Sequence, residues 1–238
     1  MDSYHIAKIA EAIGDPSRTL MLSRLMDGRA YTVTELSRVA GVGASTASAH
    51  LSRLLEAGLV TKVKQGRFIY YRLKDYRVAE AIESLAQLEP LQYQRRHVPK
   101  KMHNLIQGRS CYDHLAGQLG VALFQGMLER EMIALNNDVA TLTTYGKKKI
   151  QDLDIPLQLP NQTNQPLVKA CLDWTERCYH LSGIVGKNIM TYCFAKRWIL
   201  RRDESRAVLL SSEGKGRLQE HFGVLDFLEK RKELKVLS

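Results

Sequence analysis

No apolar run in the sequence approaches the ~18–20 residues that crossing a bilayer takes, so no membrane-spanning helix is expected. Residues 1–30 alternate polar and apolar residues in a helical pattern. They do not show the charged start, apolar core and small-residue cleavage site of a signal peptide, so a cytoplasmic protein is expected. Cysteine is scarce: Cys111, Cys171, Cys178 and Cys193, all beyond residue 110 of 238. That is too few for a disulfide scaffold, and reduced thiols are the expectation. Nucleophile motifs, a phosphate-binding loop and the paired histidines of metalloproteases are also missing, so no enzyme is expected.

What remains is an ordinary globular composition, 45% hydrophobic and 25% charged, with a net charge of +10 and a pI of about 9.5. A basic chain suits a polyanionic partner. The excess is evenly spread: residues 1–100 hold 15 Lys/Arg against 10 Asp/Glu, and residues 101–238 hold 20 against 15. Local enrichment appears between Arg53 and Arg77, with seven basic residues against Glu56 and Asp75. Charge alone decides little here, and the pattern must carry the reading.

Ile6, Ile9, Ala10 and Ile13 recur at helical spacing and predict an opening helix that stops at Gly14-Asp15-Pro16. Asp15 is placed to cap a second helix, with Pro16 in its first turn and Leu20, Met21, Leu22 and Leu25 along it. Thr32 and Glu35 have the spacing of a capping box. A short helix over Val33 to Val39, the Gly41-Val-Gly43 turn and a helix through Leu51, Leu54 and Leu55 then form a helix-turn-helix. The second of these opens with Ala44, Ser45, Thr46, Ala47, Ser48, Ala49 and His50. Small and hydroxyl-bearing side chains let a helix enter the major groove, and free N–H groups at its start suit a phosphate. An alternating strand, Leu59 to Lys64, a tight turn at Gln65-Gly66-Arg67 and a return strand, Phe68 to Leu73, complete a basic wing. Phe68, Tyr70 and Leu73 are expected to serve the sheet and core rather than to stack on bases. The residues expected at DNA are Thr34, Ser45, Thr46, Ser48, His50, Arg53, Lys62, Lys64, Gln65 and Arg67.

AIGDPSR from Ala12 to Arg18, ELS from Glu35, STASAHLSRLLEAGLV from Ser45 and GRFIYYRL from Gly66 to Leu73 resemble the ArsR/SmtB family of bacterial repressors. The resemblance covers residues 4 to about 90. It implies a homodimeric repressor that leaves operator DNA when an effector binds. It also implies a dimer interface built from the opening helix and the helix after the wing, where Val78, Ala79, Ile82, Leu85 and Leu88 form an apolar stripe. The sequence departs from the family at its metal sites. Val33 and Thr34 stand where cysteines would flank Glu35-Leu36, and no histidine occurs between Tyr76 and Leu85. Those two sites are absent.

A basic, proline-containing joint, Arg95 to Lys101, marks the expected boundary between a DNA-binding domain (1–95) and a sensor or regulatory domain (96–238). The second half repeats itself. HLAGQLG from His114 recurs as HLSGIVG from His180, and each copy leads through an apolar helix to a Thr/Ser-rich stretch ending at Gly146 or Gly214. Two matched motifs at nearly equal intervals indicate a tandem duplication. Each half is expected to be mostly helical with one short strand pair, making the whole mainly α with short β. An effector pocket between the repeats would have Cys111, Asp113, His114, Cys171, Asp173, Trp174, Arg177 and His180 in its walls. The alternatives are a small molecule clamped by Arg177 on Trp174, a redox change, and Zn, Cd or Pb held by Cys111, His114 and Cys171, with Cys178 available as a fourth ligand. Histidines that cap helices and cysteines that fill a core also account for the pattern. A non-specific architectural DNA binder is a remoter alternative to the regulator.

Overall fold

The computed structural model describes residues 3–88, 100–157, 165–202 and 205–229. These form two compact units, Met1–Ile82 and Glu83–Ser238. The joint expected at 95–99 lies outside the described residues, while Lys100 and Lys101 open a helix.

The first unit runs α1 (Ser3–Ile13), α2 (Pro16–Leu25), β1 (Tyr31–Thr32), α3 (Val33–Ala40), α4 (Ala44–Glu56), β2 (Val60–Gln65) and β3 (Phe68–Leu73). The next helix, α5 (Tyr76–Ala86), contributes residues to both units. The expected caps are in place. Asp15 accepts from the Arg18 N–H at 2.9 Å with Pro16 in the first turn. Thr32 and Glu35 form both halves of the capping box. Arg18 is buried and donates to the carbonyls of Ala12 (2.6 Å) and Glu11 (2.7 Å), so a cation closes the carboxyl end of α1. Met21, Leu22, Leu25, Leu36, Leu51 and Leu54 are fully buried and make the core of this unit.

Two expectations about strands need correction. Tyr31 and Thr32 form a third strand against β3, pairing with Tyr71 and Tyr70. Phe68 is 47% exposed, because side chains alternate along a strand and Tyr71 and Leu73 hold the inward parity.

The second unit shows the duplication in its element order. After α6 (Lys100–Gln107), one copy consists of the hairpin β4–β5 (Arg109–Cys111, His114–Ala116), α7 (Gly117–Glu129), the hairpin β6–β7 (Ile133–Asn136, Val139–Leu142) and α8 (Thr144–Gln151). The other consists of β8–β9 (Lys169–Leu172, Tyr179–Ser182), α9 (Gly183–Ala195), β10–β11 (Ile199–Arg201, Val208–Leu210) and α10 (Ser212–Phe222). Each half therefore has two strand pairs, where one was expected; strands of three or four residues are too short to show an alternation.

The copies are interleaved: α7 packs on β9 and α9 on β5. The glycines of the repeated motif explain how. Gly117 and Gly183 open their helices at φ +72° and +80°, a left-handed conformation that β-carbons disfavour. Gly120 and Gly186 allow close approach. A Cβ there would stand 2.3 Å from the Leu115 carbonyl oxygen or 2.5 Å from that of Leu181. The same Cβ would lie 3.4 Å from the Cβ of the other copy's histidine, His180 or His114. Thr143 and Ser211 cap α8 and α10 in the same way, each accepting from the glycine N–H three residues on. Phe124, Met127, Val185, Ile189, Cys193 and Phe222 fill the shared core.

Candidate nucleic-acid interface and a buried cysteine–histidine cluster

Helix α4 is amphipathic in the sense groove entry requires. Ala47, Leu51 and Leu54 are buried, while Ala44, Ser45, Thr46, Ser48 and Arg53 are exposed. Its N-cap is Gly43, which offers no side-chain cap, so Ser45 and Thr46 do not cap the helix and its first-turn N–H groups have no side-chain cap. Gly41, at φ 67°, ends α3 and sets the turn between the two helices. Thr34 is exposed at the start of α3.

The wing is the β2–β3 hairpin, closed by Gly66 and Arg67 with Gln65 paired to Phe68. Gly66 takes φ 60°, which the first position of such a two-residue turn favours. Lys62, Lys64, Gln65 and Arg67 are all exposed, and the Arg67 guanidinium lies 5.0 Å from the Phe68 ring centre. His50 is the exception among the expected DNA residues. Its Nδ1 lies 3.4 Å from Arg18 Nη1 and 3.8 Å from Asp15 Oδ1, so the ring is turned into the α2 cap.

In the second unit, hairpin register sets Cys111 opposite His114 and Cys171 opposite His180. All four are buried, and one ligand atom from each lies within 4.8 Å of the others. The His114 and His180 Nε2 atoms are 3.1 Å apart, with the rings stacked at 5.0 Å. Asp113 Oδ1 lies 3.2 Å from His114 Nδ1, and Asp173 Oδ2 lies 3.1 Å from His180 Nδ1. Asp173 is held in turn by Arg109 Nη2 (3.0 Å) and the Gly117 N–H of the other copy (2.7 Å). Arg109 is fully buried, with Glu83 at 3.6 Å, and Glu83 also accepts from Arg206 at 3.1 Å.

Burial opposes ionisation of Asp173, but His180 and Arg109 overcome it and hold the carboxyl well below the usual range. At Glu83 burial is likewise outweighed, by Arg109 and Arg206, and its pKa is lowered. The hydrogen bond with Cys171, together with burial, pushes the Cys111 thiol up.

The structure thus gathers Cys111, Asp113, His114, Cys171, Asp173 and His180. Two expectations are corrected by placement. Cys178 is outside the cluster, and His180 takes the fourth position, because the register aligns Cys171 with His180. Trp174 is buried, with the Arg109 guanidinium 5.0 Å from its ring centre, and Arg177 donates to the Gln87 carbonyl. The histidines do not cap helices; Ala116 and Ser182 are the N-caps. Glu83 was missed altogether. Its signal was a carboxylate four residues after Ala79, on the same helical face as that buried side chain.

A tight helix-turn-helix with a small-residue outer face, followed by a basic two-stranded wing, defines a winged helix-turn-helix DNA-binding protein. Residues 15–62 match the model of the bacterial regulatory protein, arsR family. The HTH-type transcriptional regulator YdfF of Bacillus subtilis is 34% identical over 221 residues, 92% of this chain and 98% of that protein. CmtR of Mycobacterium tuberculosis is 36% identical over 83 residues, covering 35% of this chain and 70% of CmtR. Among solved structures, the transcriptional repressor BigR from Xylella fastidiosa shares 27% identity, covers 38% of this chain and 91% of its own, and has a TM-score of 0.34. The chain belongs to the ArsR family, and it is a DNA-binding transcriptional regulator.

Proposed function

We propose that the protein is a homodimeric, cytoplasmic repressor that leaves a palindromic operator when its duplicated carboxy-terminal half senses an effector. The observation that carries DNA reading is the outer face of α4, where Ser45, Thr46 and Ser48 are exposed above a fully buried inner face. Backbone contacts from Lys62, Lys64, Gln65 and Arg67 on the wing would fix register, while the helix would read base edges. Dimerisation is supported by apolar surface left uncovered on α1 and on or beyond α5: Ile6 is 47% exposed, Leu85 48% and Leu88 78%. Effector sensing is supported by the buried polar cluster, which lies within the second unit.

Arg67→Ala tests the wing. It is expected to weaken binding to operator and random DNA alike, and to reduce the slope of log K against log salt by about one unit. Fluorescence anisotropy over a salt series reads both quantities. Unchanged affinity and slope would remove the wing from the interface.

A further inference from the structure

Among the described residues, one group of metal-ligating side chains converges without any role in DNA reading. Each hairpin pairs a cysteine with a histidine, and the interleaving of the two copies brings both pairs to one point. All four side chains are at least nine-tenths buried.

The imidazoles show why this is more than core filling. Asp113 and Asp173 lie beside the Nδ1 atom of each ring, and the two Nε2 atoms face each other across 3.1 Å. A proton shared between the rings or a cation between them accounts for that approach, and the two cysteine sulfurs beside it supply the further donors of a cation site. Carboxylates behind histidine ligands are how proteins orient imidazoles toward a metal. The dimensions agree. A tetrahedral ion with bonds of about 2.0–2.1 Å to nitrogen and about 2.3 Å to sulfur separates its donors by roughly 3.3–3.8 Å. Donor atoms already within 4.8 Å of one another need little movement to reach that arrangement.

We propose that Cys111, His114, Cys171 and His180 bind one zinc-class ion, Zn²⁺ or Cd²⁺, per chain, with Asp113 and Asp173 orienting the two imidazoles. Binding replaces two S–H bonds with two S–metal bonds and releases two protons to solvent, and no electron is transferred. Two thiolates neutralise the divalent ion, which suits a buried site. Thiolate and imidazole donors select this class over hard cations. Four protein donors leave no open position, so the ion is held rather than used for catalysis. The proposal gives the sensing half its effector class, and it rests on the repressor reading only for its consequence at DNA.

The test uses full-length protein, reduced and stripped of metal by chelation, and Co²⁺ as the probe. One equivalent per chain is expected to produce tetrahedral visible bands and thiolate-to-cobalt charge transfer, both abolished by Zn²⁺ or Cd²⁺. Cys111→Ser and Cys171→Ser are expected to lose the charge-transfer intensity of one thiolate each, while Cys178→Ser keeps the full spectrum. Asp113→Asn is expected to weaken the site about 10–100-fold. Because a cysteine variant can also misfold, the unmodified protein is mapped by alkylation in parallel, in urea sufficient to expose these buried thiols when metal is absent. Zn²⁺ should protect Cys111 and Cys171 and leave Cys178 reactive. No stoichiometric binding, an octahedral spectrum without charge transfer, or alkylation that ignores zinc would overturn the site. Operator affinity is measured on the same samples. A filled site with unchanged affinity upholds the metal site and removes metal as the effector; an empty site overturns the metal proposal and leaves release to another ligand.

Discussion

Arg109→Ala is expected to destabilise the second unit by about 3–5 kcal/mol, because it strands carboxylates that burial otherwise forbids to ionise. Arg109 has no exposed surface, and its guanidinium lies 3.0 Å from Asp173 Oδ1 and 3.6 Å from Glu83 Oε2, both acids also buried. With Arg109 present, both carboxyls have lowered folded-state pKa values, so the stability they contribute is present above their unfolded pKa and is lost as pH falls through the folded one. Without it, Glu83 keeps Arg206 and Asp173 keeps His180, but the attraction that outweighed burial is reduced. The variant's deficit should therefore be larger at pH 7 than near pH 4, where protonation relieves the stranded charge. Denaturant unfolding at the two pH values checks this. Adding Asp173→Asn and Glu83→Gln to Arg109→Met should recover part of the loss. An Arg109→Ala deficit below about 1 kcal/mol at pH 7 would show that the network does not hold the unit together.

Gly120→Ala and Gly186→Ala are expected to cost up to about 3 kcal/mol each, the upper end for overpacking. The added methyl would meet a backbone carbonyl oxygen at 2.3 or 2.5 Å, and backbone cannot rotate away as a side chain can. Relief would have to come from sliding α7 or α9 off its own hairpin, which would also move the opposite copy's histidine. The two substitutions should therefore act alike, in contrast to Gly216→Ala, where nothing lies within 4 Å of the added carbon. Thermal unfolding of the three variants is the measurement. Neutral effects at Gly120 and Gly186 would refute the close packing of the copies.

The contrast between the halves shows what a sequence makes legible. In the first unit the signals are local. Asp15 caps its own helix, Thr32 and Glu35 close a box three residues apart, and Gly66 closes a two-residue turn. Strand β1 escaped notice because two residues carry no period, and its partner Tyr71 lies 40 positions away by number. His50 read as a groove residue because its helix position faces outward, whereas its ring is drawn back by Asp15 and Arg18. In the second unit the repeated HLxGxxG motif exposed the duplication, and Cys111, His114 and Cys171 stood out as candidate ligands. That Cys171 faces His180 rather than working with Cys178 depends on hairpin register across a nine-residue separation, which no local pattern specifies. The link from Glu83 to Arg109 depends on tertiary packing, and charge counting does not reveal it.

Footprinting full-length protein on DNA fragments selected from a random pool at physiological salt tests sequence-specific operator recognition by a winged helix-turn-helix dimer most directly. The expected result is a protected palindrome with half-sites about one helical turn apart, bound at least ~10³-fold more tightly than unselected DNA. Recovery of no preferred sequence, with uniform protection and affinity that merely tracks salt, would contradict it.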